Sequence, residues 1–352
     1  MTKIEWCRGD DGSEGLSWNP LRAERVVERE GEMVKVSANH CEHVNEACRF
    51  CYAERGNRRL RGLAFKPGHR NDYTFTLDEE KLLMPLRRKK PTRIFVESMS
   101  DAFGEWWPTE FIDKIYAVMA LCPQHTFINL SKRPERRREY LDDPETAKRV
   151  YGHCWSILGT REGSKIKHGG NWRVPFPLPN VIEGTSVSNQ READEFIPIL
   201  LQTKAALRAV SCEPLLGPID LTAIRRRHAE GFMRPLDGRF NTLGWVIVGG
   251  ESGTEARPMH PDWARSLQEQ CAAANVPFFF KQWGEWKPGY TGEADIAVFP
   301  NGDTRTSKWI SDAAKSAETR DHTVARMCRV GKKAAGRLLD GVEHNGFPMR
   351  PS

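Results

Sequence analysis

Short apolar runs recur along the chain, each followed by a stretch whose apolar residues return at helical spacing. The runs are Arg93-Ile-Phe-Val-Glu97, Thr126-Phe-Ile-Asn-Leu130, Asn180-Val-Ile-Glu-Gly-Thr185, Ala209-Val-Ser211, Trp245-Val-Ile-Val248 and Pro277-Phe-Phe-Phe-Lys281. Their β-branched and aromatic content, without polar alternation, predicts parallel strands buried on both faces. Between them, 110–121 sets Phe111, Ile115, Val118 and Met119 on one helical face, and 189–206 and 262–275 behave alike. Asp262, just after Pro261, is the expected N-cap of the last helix. Strand–helix alternation predicts a parallel sheet with right-handed crossovers. The expected fold is therefore α/β, a partial (β/α) barrel of about six parallel strands, with a doubly wound sheet as the rival. In both architectures ligands collect at the carboxyl ends of the strands.

Some segments fall outside this repeat. Tyr151–Pro179, with Gly169-Gly170 and Pro175-Phe-Pro-Leu-Pro179, reads as a long loop. Trp286–Thr306 reads as a second loop or a small hairpin, and Ser307–Gly341 as helical and basic near Arg329, Lys332 and Lys333. Leu21–Asn39 reads as an insertion of unassigned role. Three regions result: 1–40, an N-terminal element with the insertion; 41–285, the partial barrel; and 286–352, a C-terminal loop and helical extension.

Composition changes this picture little. The 352 residues suffice for two domains or one barrel, and 39% apolar with 28% charged residues excludes a wholly disordered chain. No apolar run approaches the roughly 18–20 residues a bilayer span needs, so no membrane partner is expected. The opening Met1-Thr2-Lys3-Ile4-Glu5-Trp6 has no apolar signal core, which predicts a cytoplasmic location.

Charge adds more through its distribution than its total. Lys plus Arg number 53 against 47 Asp plus Glu, a net charge of +6. The runs Arg87-Arg-Lys-Lys90, Arg136-Arg-Arg138 and Arg225-Arg-Arg227 concentrate the excess. They read as phosphate contacts to a nucleic-acid partner or as solvated helix ends.

The polar residues crowd one place. Glu97, Ser98, Ser100 and Asp101 follow the first run, Ser131-Lys-Arg133 the second, and Thr185 and Ser186 the third. Glu213 follows the fourth, Gly249-Gly-Glu-Ser252 the fifth, and Lys281-Gln-Trp283 ends the sixth. Six strands ending this way predict a polar chamber at the carboxyl edge. Gly249-Gly250 permits close backbone approach to a ligand or makes a tight turn, and it is no dinucleotide fingerprint. Lys132 and Arg133 read as an anion site or as solvent-facing, and Glu213 as a chamber residue or a carboxylate paired with arginine. Trp106, Trp107, Trp283 and Trp286 read as core or as stacking platforms for bases.

Nine cysteines without a secretion signal argue against a disulfide framework. Cys7, Cys122, Cys154, Cys212, Cys271 and Cys328 are scattered and predicted to be buried small hydrophobes. Cys41, Cys48 and Cys51 instead form a C-x6-C-x2-C array. Three thiolates on one loop suit a [4Fe–4S] cluster with one iron left open, or a Cys3His zinc site completed by His40 or His43; the remaining reading is three unrelated surface cysteines.

Radical S-adenosylmethionine enzymes space three cysteines C-x3-C-x2-C with an aromatic residue before the last, the place Phe50 holds here; the first gap is longer in this chain. More widely, the chain resembles the phage-associated three-cysteine-motif proteins, a radical-SAM-like family. The likeness lies in Trp18-Asn-Pro20, Cys48-Arg-Phe-Cys-Tyr-Ala-Glu54, Phe95-Val-Glu-Ser-Met-Ser-Asp101 and Leu130-Ser-Lys-Arg-Pro-Glu-Arg136. It continues through Ser211-Cys-Glu-Pro-Leu-Leu-Gly-Pro218, Val246-Ile-Val-Gly-Gly-Glu-Ser-Gly253 and Arg257-Pro-Met-His-Pro261. Phe279-Phe-Lys-Gln-Trp-Gly-Glu285 and Gly331-Lys-Lys-Ala-Ala-Gly-Arg337 complete it.

The resemblance implies that Cys41, Cys48 and Cys51 hold a [4Fe–4S] cluster whose open iron takes S-adenosyl-L-methionine. It implies cofactor contacts from Phe50, from Glu97, Ser98, Ser100 and Asp101 near the methionine amino group, and from Lys132, Ser186, Glu213, Gly249, Gly250 and Glu251. The usual Gly-Gly-Glu of the second strand is absent. An external electron donor is implied, and phage association with basic patches points to a nucleic acid or nucleotide substrate, for base modification or lesion repair. The rival is a zinc-stabilised nucleic-acid-binding module without catalysis. A nuclease has no paired-carboxylate metal motif behind it.

Overall fold

In the computed structural model residues 2, 4–166, 174–225, 230–238, 241–289, 295–306 and 324–349 are described. The apolar runs become strands, preceded by a short one that the pattern does not announce, Leu16–Trp18 (β1). Leu21–Arg29 (β2), Glu32–Ala38 (β3) and Thr74–Leu77 (β4) make a three-stranded antiparallel sheet in the order β3-β2-β4. The insertion is therefore a β-hairpin. Its turn, Glu30-Gly31, has φ of +54° and +83° at the two residues, as a tight hairpin turn of matching twist requires.

The remaining sheet strands are Arg93–Val96 (β5), Thr126–Ser131 (β6), Val181–Ser186 (β7) and Leu207–Cys212 (β8). After the two-residue strands Ile224–Arg225 (β9) and Phe232–Met233 (β10) come Trp245–Gly249 (β11) and Phe278–Gln282 (β12). The main sheet has seven strands in the order β1-β5-β6-β7-β8-β11-β12. β1, β5 and β6 pair in parallel, as do β8, β11 and β12. The α/β class and the parallel sheet stand as expected, with β1 added to the six anticipated strands. β1 has three residues, too short to show a period.

The chain divides into two compact units, Met1–Gly184 with Gln202–Leu207 and Met349–Ser352, and Thr185–Leu201 with Arg208–Pro348. The helices of the first are Tyr52–Arg59 (α1), Glu79–Leu82 (α2), Thr109–Leu121 (α3), Pro134–Asp142 (α4) and Thr146–Leu158 (α5). Its core joins Leu16, Trp18, Ile94, Val96 and Phe127 from the strands to Ile112, Ile115, Val118 and Met119 of α3. α5 extends into the span read as a long loop, because Val150, Cys154, Ile157 and Leu158 bury one face. Gly169 and Gly170 lie outside the described residues.

The second unit carries Gln190–Gln202 (α6) up to Leu201, and Pro261–Ala273 (α7). Its core packs Phe196, Ile197 and Leu200 with Val210, Val246, Val248, Trp263, Leu267 and Phe280. α7 begins one residue earlier than expected. Pro261 occupies its first turn, and the N-cap is His260, whose ring accepts from Asp262 N; a proline there loses no helical hydrogen bond. Trp286–Pro288 (β13), Ile296–Val298 (β14), Thr304–Thr306 (β15) and Ala325–Arg329 (β16) form a small sheet in the order β13-β16-β14-β15. The hairpin read in 286–306 is the β14–β15 pair. The helical reading of Ser307–Gly341 falls partly outside the described residues at 307–323; beyond them β16 is a strand, and only Lys332–Ala335 makes a helical turn. The six scattered cysteines are all buried, and none is in a disulfide.

Candidate functional site

In the first unit the cysteine loop runs from Cys41 through a one-turn 3-10 helix at Glu46–Cys48 to Cys51, the N-cap of α1. All three thiols are free and half-buried. The Cys41 thiol donates to Glu42 O at 3.7 Å and the Cys48 thiol to Asn45 Oδ1 at 3.4 Å. Burial pushes the Cys41 thiol up; the Arg133 guanidinium opposes that, while Asp101, Cys51 and Cys48 add to it. Burial also pushes up the Cys51 thiol, against hydrogen bonds from the backbone of Glu54 and Ala53 and the nearby Lys132. The three sulfurs thus share one electrostatic neighbourhood. Among the described residues no group of three or more His, Cys, Asp or Glu side chains is arranged to hold a metal ion.

Arg133, after β6, ties this loop down. Its Nη1 donates to Asp101 Oδ2 at 3.1 Å, its Nε to Glu105 Oε2 at 3.0 Å, and its Nη2 to Glu42 O at 3.1 Å. The guanidinium lies 4.7 Å from the Trp106 ring. Burial works against its charge, and Asp101, Cys41 and Glu105 more than offset that. Of the readings open for Lys132 and Arg133, Arg133 is a buried structural cation. Lys132 is half-buried, and its backbone N–H joins Asp101 Oδ2 at 3.0 Å.

The segment after β5 touches the loop at two points. Ser100 Oγ donates to His40 O, and Tyr52 OH to Ser98 O at 2.6 Å. Asn19 Oδ1 accepts from Met99 N at 2.9 Å and lies 3.2 Å from Ser98 Oγ. Glu97 begins the segment with φ +48°, a conformation that bulky side chains adopt only when their surroundings enforce it. Its Oε1 accepts from Leu21 N at 2.9 Å, while the buried Oε2 has no partner among the described residues. Burial pushes the carboxyl up to about 8, against Leu21 N–H and Arg22. Phe50 meets the Arg49 guanidinium at 5.1 Å.

The two histidines offered for zinc differ. His43 Nε2 lies 2.7 Å from Glu54 Oε2. His40 is fully buried among Trp106, Tyr73 and Phe75, with ring centroids 4.7, 5.3 and 5.5 Å away. Its Nδ1 has no partner among the described residues, and its Nε2 is 3.7 Å from Glu42 Oε1. Burial lowers His40 to about 4, with Glu42 opposing, so the ring is neutral at pH 7.

The second unit carries the other expected residues. Glu213 Oε1 is 3.0 Å from Lys281 Nζ, and its Oε2 accepts from Ser211 Oγ at 3.0 Å; of its two readings, the paired carboxylate has a lysine in place of the arginine. A Cβ on Gly249 would stand 2.6 Å from Glu213 Oε1, and one on Gly250 would stand 2.0 Å from Trp283 O. The protein itself fills the space both glycines free. Glu251 accepts from Arg257 at 2.8 and 2.7 Å. Ser186 is half-buried at the end of β7, and Gln282 leaves a buried Oε1 without a partner among the described residues.

Two pairs of alternatives narrow. The tryptophans offered for base stacking are buried, at 7% exposure for Trp106, 1% for Trp107, 4% for Trp283 and 5% for Trp286, and so belong to the core. Several members of the basic runs meet partners within the protein. Arg136 donates to Gly104 O and to Trp107 O, Arg137 is fully buried on Gly184 O, and Arg138 meets Asp142 and Gln202. Arg87 faces Glu80 and Glu162, and Lys90 faces Asp11. Arg226 and Arg227 lie outside the described residues. The residues that position the loop but were not singled out are Tyr52, Asn19, and Arg70, which grips Glu42 through Nε at 2.8 Å. Tyr52 and Asn19 stood inside the quoted motifs. Arg70 carried no local signal.

Residues 34–348 match a family described as proteins of unknown function (DUF5131), and the chain belongs to that family. No curated protein and no solved structure matches the chain. Among the described residues no helix is long and apolar enough to cross a membrane.

Proposed function

We propose that the protein is a radical S-adenosylmethionine enzyme of the phage-associated three-cysteine-motif kind, with a radical-SAM-like partial barrel and a nucleic acid or nucleotide as substrate. The observation that carries this is the shared neighbourhood of Cys41, Cys48 and Cys51, backed by Arg133, Lys132 and the first amides of α1. Three thiolates with cations and N–H donors behind them are the donor set a [4Fe–4S] cluster uses, and three leave one iron open. When bound, that cluster would supply the electron that cleaves the sulfonium of S-adenosylmethionine to a 5′-deoxyadenosyl radical.

The chain's own residues bind and orient. Cys41, Cys48 and Cys51 are the ligands, and Arg133 fixes the loop through Glu42 O and Asp101. The unpartnered Glu97 Oε2 suits an ammonium such as the methionine amino group, and that pairing would return the carboxyl to its ionised form. The electron donor is external.

The second reading is a zinc-stabilised nucleic-acid-binding module. One observation favours it: His40, next to Cys41, is buried and neutral with an unpartnered Nδ1. Anaerobic purification separates the two. The proposal expects a brown protein with iron and sulfide, and 5′-deoxyadenosine on reduction with dithionite in the presence of S-adenosylmethionine. Both signals should vanish in Cys48→Ala. A colourless protein holding stoichiometric zinc, whose reconstituted form makes no 5′-deoxyadenosine, sinks it.

A further inference from the structure

Among the described residues of the basic runs, Arg87, Lys90 and Arg136 to Arg138 meet carboxylate, carbonyl or amide oxygens of the protein itself. A second concentration of positive charge flanks Cys51 and runs through α1. Residues 49–66 hold Arg49, Arg55, Arg58, Arg59, Arg61 and Lys66, and no Asp or Glu occurs from 55 to 71. α1 buries Ala53, Glu54 and Asn57. Helical spacing then places Tyr52, Arg55 and Arg59 together on the opposite face. Arg49, Arg58, Arg59, Arg61 and Lys66 are all exposed.

The nearby carboxylates offset this ridge only in part. Glu54 is buried and shared between His43 at 2.7 Å and Arg58 at 2.8 Å. Glu42 is taken by Arg70. Glu46 meets Arg49 at 3.2 Å with both side chains more than half exposed, a pair that solvent weakens. The guanidinium groups of Arg59 and Arg61 meet no partner among the described residues. Like charges four apart, as at Arg55 and Arg59, destabilise a helix, and this one has only eight residues. A polyanion alongside would relieve that repulsion.

An aromatic face accompanies the charge. The Tyr52 ring is 50% exposed, and its hydroxyl is anchored on Ser98 O at 2.6 Å, so the ring is held beside Cys51 at little entropic cost. Aromatic faces interleaved with cations favour unpaired strands, because every base offers a face to stack.

We propose that the exposed face of α1, with Arg49, Arg61 and Lys66, is the docking surface for a single-stranded nucleic acid, its phosphates on the arginines and a base against Tyr52. This rests on the proposed function and assigns that reading its substrate class and the place where the strand meets the chain.

The test is fluorescence anisotropy with the anaerobically purified full chain. The probes are labelled oligonucleotides of about 20 residues, as single-stranded DNA, as single-stranded RNA and as duplex DNA, titrated between about 50 and about 200 mM salt. Arg55→Gln/Arg59→Gln/Arg61→Gln should bind the single strands about tenfold more weakly, with the salt slope reduced by about 2, from about 0.7 per phosphate contact. Arg87→Gln/Lys89→Gln/Lys90→Gln should bind like wild type. The tighter of the DNA and RNA arms names the polymer. If the triple glutamine variant misfolds on melting, the single variants Arg59→Gln and Arg61→Gln should each lose part of the affinity and slope. The proposal fails if the ridge variants bind as wild type does, if duplex binds as tightly as single strand, or if wild type binds neither. Cluster absorbance and uncoupled 5′-deoxyadenosine formation should be unchanged in the ridge variants. Their loss in wild type would sink the enzyme reading and leave the binding result standing.

Discussion

Glu97 sits at the carboxyl end of β5 with one carboxylate oxygen on the Leu21 amide and the other without a partner among the described residues. Burial raises its pKa from 4.5 to about 8, so the folded protein holds a proton that the unfolded chain releases. Below about 4.5 both states are protonated and the group has no effect. Between about 4.5 and about 8 only the unfolded chain ionises, and stability falls as pH rises; above about 8 the loss is complete. At about 1.4 kcal/mol per pKa unit the drop is of the order of a few kcal/mol. Glu97→Gln keeps the acceptor for Leu21 N and removes the titration. Thermal melts from pH 5 to pH 8 should therefore show a smaller decline for the variant than for wild type. Parallel declines would mean that Glu97 is already ionised in the folded state. The sequence marks Glu97 only as a polar residue after an apolar run. Its positive φ and the missing partner depend on how Leu21 is brought back against β5, a contact across 76 positions that no local pattern encodes.

At the scale of elements, legibility follows length and periodicity. The four- to six-residue strands β5 to β8, and β11 and β12, carry enough β-branched and aromatic residues to declare themselves, and α3 and α7 were read to within a residue or two of their ends. The β2–β3 hairpin was not read, because its outer half has no buried face to impose an alternation. Val26 is 58% and Met33 71% exposed, while Leu21, Ala23 and Ala38 at the base are fully buried. The hairpin should accordingly tolerate shortening far from its base. Deleting Val26-Val27 with Val34-Lys35 removes two residues from each strand, keeps Arg25 opposite Val36, and leaves each remaining side chain on its original face. The melting transition should stay within about 1 kcal/mol of wild type. By contrast Leu21→Ala should lower it by about 2–5 kcal/mol. A shortened protein that fails to fold would show that the hairpin's outer half packs on something essential.

For the whole molecule, the polar residues in question stand at or just after the ends of β5, β6, β7, β8, β11 and β12, but the sequence could not say which were already paired. Asp101 belongs to Arg133, Glu251 to Arg257 and Glu213 to Lys281. These partners come from 6 to 68 positions away, and only the fold brings them together. In the first unit Glu97 Oε2 and the His40 ring nitrogens have no hydrogen-bond partner among the described residues, and the Cys41 and Cys48 thiols are held only by sulfur hydrogen bonds to Glu42 O and Asn45 Oδ1. A ligand that draws on those groups stabilises the state that binds it, and each unit has a separate apolar core through which that stabilisation spreads. Hydrogen exchange read by mass spectrometry should therefore show cluster loading slowing exchange in 40–60 and 97–105, the segments joined by Ser100 to His40 O and Tyr52 to Ser98 O. Peptides of 245–282, from the core of the second unit, should exchange alike with and without the cluster. Protection that appears equally in both sets would place the stabilising site elsewhere than the cysteine loop. Protection in neither would mean that Cys41, Cys48 and Cys51 do not bind the iron.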